Sequence, residues 1–134
     1  MRFMMIVKAS KDSEAGVMPT NELISAMTKY NEQLVNAGAL IDASGLQASS
    51  KGARIRFNGT QRAVIDGPFA ETRELIAGYW IIQVKSREEA IEWAKRAPFQ
   101  EGELELRQFF EMEDFAPSEA IEEAKALGKK IGKL

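Results

Sequence analysis

Apolar residues in this chain change their spacing from segment to segment, and the order of those changes leaves few folds open. Arg2 to Lys8 is apolar nearly throughout (Phe3, Met4, Met5, Ile6, Val7), a short continuous run that predicts a central strand covered on both faces. From Asn21 to Ala37 the spacing becomes helical. Leu23, Met27, Tyr30 and Leu34 form one stripe, with Thr20 as N-cap and Gly38 at the position of a left-handed C-cap. Ala39 to Leu46 predicts a second strand. Arg54, Arg56 and Asn58 then alternate with Ile55 and Phe57, the period of a half-buried strand. Asn58-Gly59 signals a tight hairpin, with Arg62 to Ile65 as the returning partner.

The second half repeats this order. Tyr79 to Val84 is β-branched and aromatic, as strands are. Ser86 opens a helix that runs to about Ala97, with Ser86 and Glu89 in capping-box positions, Ala90, Ile91 and Ala94 buried and Trp93 at the edge. Pro98 ends it. Glu103 to about Met112 is a last strand, with Leu104 and Leu106 inward. Pro117 to Lys133 is a further helix, with Ala120, Ala124, Leu127 and Ile131 on one face. The stretch Lys11 to Thr20 reads as a loop.

Two βαβ halves around a hairpin predict an α+β, ferredoxin-like βαββαβ sandwich with an inserted β-hairpin and a C-terminal helix. The expected division is residues 1–115 as one domain and 116–134 as a helical extension. In such a sandwich the helices cover one face of the sheet. The other face needs cover, so a homodimer is expected, with Phe109, Phe110, Trp80 and the first strand available for the interface.

Composition narrows the chemistry. The 134 residues carry a net charge of −2 and show no basic stripe, which argues against nucleic acid as a partner. No apolar run approaches the roughly 20 residues that span a bilayer, and the start is too short and too soon charged for a signal peptide; a cytoplasmic location is expected. The chain has no Cys and no His. Thiolate nucleophiles, Cys-type zinc sites and the commonest general base are therefore excluded. Acid–base chemistry would fall to Asp, Glu, Lys, Tyr or water, and neither a metal nor a cofactor is expected.

The densest chemistry lies in Asp66-Gly67-Pro68-Phe69-Ala70-Glu71-Thr72-Arg73-Glu74. Read structurally, this is a rigid turn: Asp66 hydrogen-bonds its own backbone, Gly67 tolerates a positive φ, Pro68 fixes φ, and Phe69 tucks into the core. Read functionally, the turn holds the Asp66 carboxylate at the mouth of a cleft as base or acceptor, and Arg73 grips an anion while Glu71 and Glu74 orient it or relay protons. Phe69, Tyr30 and Arg54 complete the candidate binding residues. Tyr30 also fits a packing role from its helical spacing, and Lys51, Arg54 and Arg56 a solvated basic face.

The nine-residue motif, followed by Gly78-Tyr79-Trp80, resembles the hallmark of the DGPF-domain proteins, a branch of the YciI-related family. Lys29-Tyr30-Asn31, Ser50-Lys51-Gly52-Ala53-Arg54 and Ser86 through Phe99 support the resemblance, which covers about residues 1–115. It implies a dimeric α/β barrel with two sheets face to face, in the company of small enzymes such as muconolactone isomerases and monooxygenases. The function it implies is a small-molecule-binding homodimer, or a cofactor-independent enzyme for a small organic acid or carbonyl compound. It also implies, as an alternative, a regulatory module associated with an extracytoplasmic-function sigma factor. YciI-type relatives are proposed to use a His–Asp pair. The His would lie on the first helix, where this chain has none, and the Asp would fall at Ala97, before Pro98-Phe99. That mechanism does not transfer.

Overall fold

The computed structural model describes residues 1–71 and 74–132. The strands are β1 (Arg2–Lys8), β2 (Leu40–Gly45), β3 (Ala53–Asn58), β4 (Gln61–Asp66), β5 (Ile76–Gln83) and β6 (Leu104–Gln108). The helices are α1 (Lys11–Glu14), α2 (Asn21–Asn36), α3 (Arg87–Lys95) and α4 (Glu119–Lys130). Four strands form an antiparallel sheet in the order β2-β5-β1-β6, and β3 and β4 form a separate two-stranded sheet. The result is an α+β fold, and apart from α1 its order of helices and strands is the one the changing apolar period predicts.

One face of the large sheet makes the core. Register places Phe3 beside Ile82 and Met5 beside Trp80, and these pack with Val84 against Tyr30 and Leu34 of α2 and Ala90 and Trp93 of α3. The aromatic rings meet edge to face: Tyr30 lies 5.3 Å from Trp80 and 6.2 Å from Trp93. Such pairs add to the area they bury. The polar ends of the aromatics are paired within the same chain. The Trp80 indole donates to Asn31 Oδ1 at 2.7 Å, and the Tyr30 hydroxyl donates to the Trp93 carbonyl. Trp80, 2% exposed, is therefore core and is not available to an interface, contrary to the sequence expectation. Trp93, expected at the edge, is buried as well.

The sheet's other face carries Met4, Ile6, Tyr79 and Ile81, each half-buried or less exposed, with charged neighbours. Lys8 pairs with Glu105 at 3.2 Å, and the Tyr79 hydroxyl donates to Asp42 at 3.1 Å. A bidentate pair, Arg2 to Glu111 at 2.8 and 3.0 Å, ties the segment after β6 to the edge of β1.

Several local expectations are corrected. The loop Lys11–Thr20 contains α1, opened by reciprocal Ser10–Ser13 capping. With Ser at the third position and four residues of helix, the usual Glu or Gln signal is missing. Glu89 of the expected capping box accepts from the Lys85 amide, while Ser86 caps the helix through the Glu89 amide. The hairpin loop is Gly59-Thr60, one residue beyond the expected pair, with positive φ at Gly59 alone. Every residue of β3 is exposed, because the hairpin stands clear of the large sheet. β5 begins at Ile76, so Gly78 lies within it; a Cβ there would come within 2.9 Å of the Ser44 carbonyl on β2. β6 ends at Gln108, short of Met112. On α4, the half-buried stripe is Ile121, Ala124, Lys125 and Gly128, and Leu127 and Ile131 of the expected face are exposed.

Arg2 holds the Glu111 carboxyl below the usual carboxylate range, chiefly by hydrogen bonding and despite partial burial. A depressed folded pKa contributes stability that is complete above the ordinary value of 4.5 and fades as pH falls through the folded one. Glu111→Gln should therefore cost about 1 kcal/mol at pH 7 and less at pH 3. Urea unfolding at both pH values checks this, and an equal loss at each would contradict it.

Candidate functional site

The Asp66 turn is built by a close backbone approach. Gly67 passes over the 3-10 turn Ser49–Lys51 so tightly that a Cβ would sit 1.8 Å from the Ser49 carbonyl oxygen. Its φ is not positive, so the sequence reason for glycine was the wrong one: this position needs the absence of a side chain, not a left-handed backbone. The Gly67 amide donates to the Gly52 carbonyl at 3.0 Å, and the Phe69 amide donates to Ser49 Oγ at 3.0 Å. The Gly67–Pro68 peptide is cis.

Ser49 is held in turn from the far side. Its amide donates to Glu14 Oε1 at 3.0 Å and its hydroxyl donates to Glu14 Oε2. The hydroxyl thus uses both its functions, donating a hydrogen bond to a carboxylate and accepting one from the Phe69 amide. Glu14 and Ser49 are the residues sequence reasoning missed. They are 35 positions apart, and no local pattern announces the pairing.

This anchoring brings three of the predicted residues together. The Arg54 guanidinium lies over the Phe69 ring, 3.8 Å from its centroid, and reaches Glu71 Oε2 at 3.3 Å. Phe69 is consequently a half-buried platform beneath a cation, not a core residue as expected. Glu71 is held below the usual carboxylate range by its own backbone amide first and by Arg54 second. Both side chains of the pair keep about half their surface in solvent, so a ligand can reach the guanidinium.

The other predicted residues are placed differently. Asp66 is exposed and pairs across the hairpin with Ala53, whereas Arg54 pairs with Ile65. Alternation along a strand therefore puts Asp66 and Arg54 on opposite faces of the ribbon. Glu74 is exposed and closes the turn through its amide to the Glu71 carbonyl at 2.9 Å. Tyr30 is in the core, apart from the turn, and burial pushes its hydroxyl up to about 12, with Arg96 acting in the opposite sense. Arg73 lies outside the described residues.

A depression of about 220 Å³ lies between α3 and β6 and shares no residue with the turn. Ala94, Ala97, Phe99 and Leu104 line it, with Lys95 and Glu101 among its polar groups. It includes the position where the resemblance would put a carboxylate, and here that residue is Ala97. Among the described residues no cluster of three or more Asp or Glu could hold a metal ion, and no helix is long and apolar enough to cross a membrane.

The YCII-related domain, as a family model, matches residues 1–113. An uncharacterized protein of Rhizobium meliloti (strain 1021) is 34% identical over 86 residues, 64% of this chain and 64% of that protein. The chain thus spans just under two thirds of the length of the curated relative it matches, and α4 lies beyond the residues of the family match.

The junction of Gly67 with Ser49 can be tested directly. Ser49→Ala should cost about 1–2 kcal/mol, by leaving the Phe69 amide and one Glu14 oxygen without partners. Gly67→Ala should cost more, because the backbone must shift to admit the methyl. Urea unfolding measures both, and a Gly67→Ala variant as stable as the parent would contradict the packing described.

Proposed function

Because the chain belongs to the YCII-related family, we propose that it is a small-molecule-binding protein acting as a homodimer, with a ligand site at the Asp66–Glu74 turn. The ligand class is a small organic acid or carbonyl compound. The strand order β2-β5-β1-β6, with all neighbours antiparallel, supports a ferredoxin-like sandwich of residues 1–115. The sheet face bearing Met4, Ile6 and Ile81 is turned away from the Tyr30 and Trp93 core, which supports pairing into a dimeric α/β barrel.

The observation that carries the ligand reading is the stacked, half-exposed Arg54. A guanidinium fixed by an aromatic face and one carboxylate retains further N–H donors in a planar fork. A ligand carboxylate or polarised carbonyl can share that fork, and a flat ligand can extend over Phe69. Glu71 sets the competition: ionised at neutral pH, it occupies part of the fork until an anion displaces it. Turnover, if the bound compound reacts, would draw on Asp66, whose carboxylate is open to solvent and, unlike the expected turn, makes no hydrogen bond to its own backbone among the described residues. In the folded dimer that carboxylate would have to be brought to the ligand from the other face of the ribbon.

Calorimetric titration with benzoate and with pyruvate tests the site. Arg54→Ala should weaken binding at least about tenfold, and Arg54→Lys should recover only part of it because the fork is lost. Both variants should melt as the parent does, since the pair is exposed. Equal binding by the parent and Arg54→Ala, or no binding of either compound, would overturn the reading.

A further inference from the structure

The β3–β4 hairpin is exposed on both faces, yet it is not polar on both. Ile55, Phe57 and Val64 are 48%, 73% and 67% exposed. Register puts Ile55 directly opposite Val64 and Phe57 opposite Arg62, so all four share one face. Arg62 is fixed there: its guanidinium lies 4.6 Å from the centroid of the Phe57 ring and donates to the Gly59 and Gln61 carbonyls at 2.8 Å. A two-stranded ribbon is marginal on its own, and an ordered aromatic–arginine pair beside a branched apolar pair is the make-up of an interface anchor.

The hairpin is also basic. Residues 51–66 hold Lys51, Arg54, Arg56 and Arg62 against Asp66 alone. The opposite composition follows β6. Residues 109–124 hold Glu111, Glu113, Asp114, Glu119, Glu122 and Glu123 and no Lys or Arg. Glu111 and Glu122 are paired with Arg2 and Lys125, which leaves Glu113, Asp114, Glu119 and Glu123 without ion pairs among the described residues. Beside them, Phe110 and Phe115 stack at 5.1 Å with 73% and 40% of their surfaces exposed. One chain therefore displays a hairpin that is basic as a whole, with Arg62 and Asp66 on its apolar face and Arg54 and Arg56 on the other, and an acidic segment with exposed aromatics.

We propose that the Ile55–Phe57–Val64 face of the hairpin docks on the Phe110–Phe115 segment of a second copy. The inference rests on the homodimer reading and adds which surfaces meet. A two-fold axis makes the contact reciprocal: each copy gives a hairpin and receives one. It also covers the apolar groups that either copy leaves in water, and it sets Arg62 near the uncompensated Glu113 and Asp114.

The absence of cysteine makes the test clean. Phe57→Cys and Phe115→Cys are prepared as separate single-cysteine proteins, oxidised alone and as a mixture, and run without reductant. A covalent dimer carrying one of each chain, formed in the mixture, is expected. By sedimentation, Phe57→Glu should raise the dimer dissociation constant at least about tenfold with an unchanged melting temperature. Val64→Glu, on the same face, should do the same and guards against a local folding defect in the first variant. A parent protein that stays monomeric at all concentrations overturns both the homodimer reading and this inference. A parent dimer that neither variant weakens, with no mixed disulfide, overturns this inference and leaves the homodimer standing.

Discussion

The backbone of Gly67 lies against the carbonyl of Ser49, and the rest of the candidate site follows from that contact. No other residue fits there, since a methyl would sit 1.8 Å from the oxygen. The approach fixes where β4 ends and where Phe69 begins. It lets the Ser49 hydroxyl accept a hydrogen bond from the Phe69 amide and donate one to Glu14. With the Phe69 ring so placed, Arg54 has a platform at 3.8 Å, and Glu71 can reach its guanidinium from the other side of the turn. A motif that looks like a bend with charges attached is thus a junction of three segments, α1, the Ser49–Lys51 turn and the hairpin base.

The energies involved set that junction apart from what holds the core. The ion pair of Arg54 and Glu71 is half in solvent, where such pairs contribute little to stability. The core is secured elsewhere, by Trp80, Met5, Leu34 and Ile82, each nearly inaccessible. An exposed, oriented guanidinium that stability does not require is available for binding. The same contrast separates the two aromatics of the proposed site. Tyr30 satisfies its hydroxyl inside the core, and burial holds it protonated, whereas Phe69 keeps one face toward a cation. The His–Asp chemistry suggested for YciI-type relatives has no counterpart here, because the chain lacks His and carries Ala97 at the second position.

Much of the architecture was legible in the sequence because it is set by local period. The Leu23–Leu34 stripe, the Thr20 and Ser86 caps and the alternation in β6 are short-range signals, and each element they predict is present. What failed was set by tertiary contact. Phe57 alternates like a half-buried residue, yet nothing in its own strand says that the hairpin stands off the sheet. Gly78 precedes the expected strand Tyr79 to Val84, but it lies inside β5 where the β2 backbone comes close. On α4, which side packs inward was not legible: Ile121 and Ala124 are half-buried, and Leu127 and Ile131 are exposed. At the Asp66 turn, the sequence reason for Gly67 was a positive φ, whereas the position requires the absence of a side chain. Glu14 and Ser49 were invisible because residue spacing carries no record of a contact across 35 positions.

A small guanidinium-centred site on a fixed aromatic turn is the central claim, and a crystal structure of the protein soaked with benzoate tests it most directly. The account predicts the carboxylate on the Arg54 guanidinium, the aromatic ring toward Phe69, and Ser49 still bridging Glu14 and the Phe69 amide. Benzoate in the depression beside Ala97, with Arg54 turned away from Phe69, would contradict it.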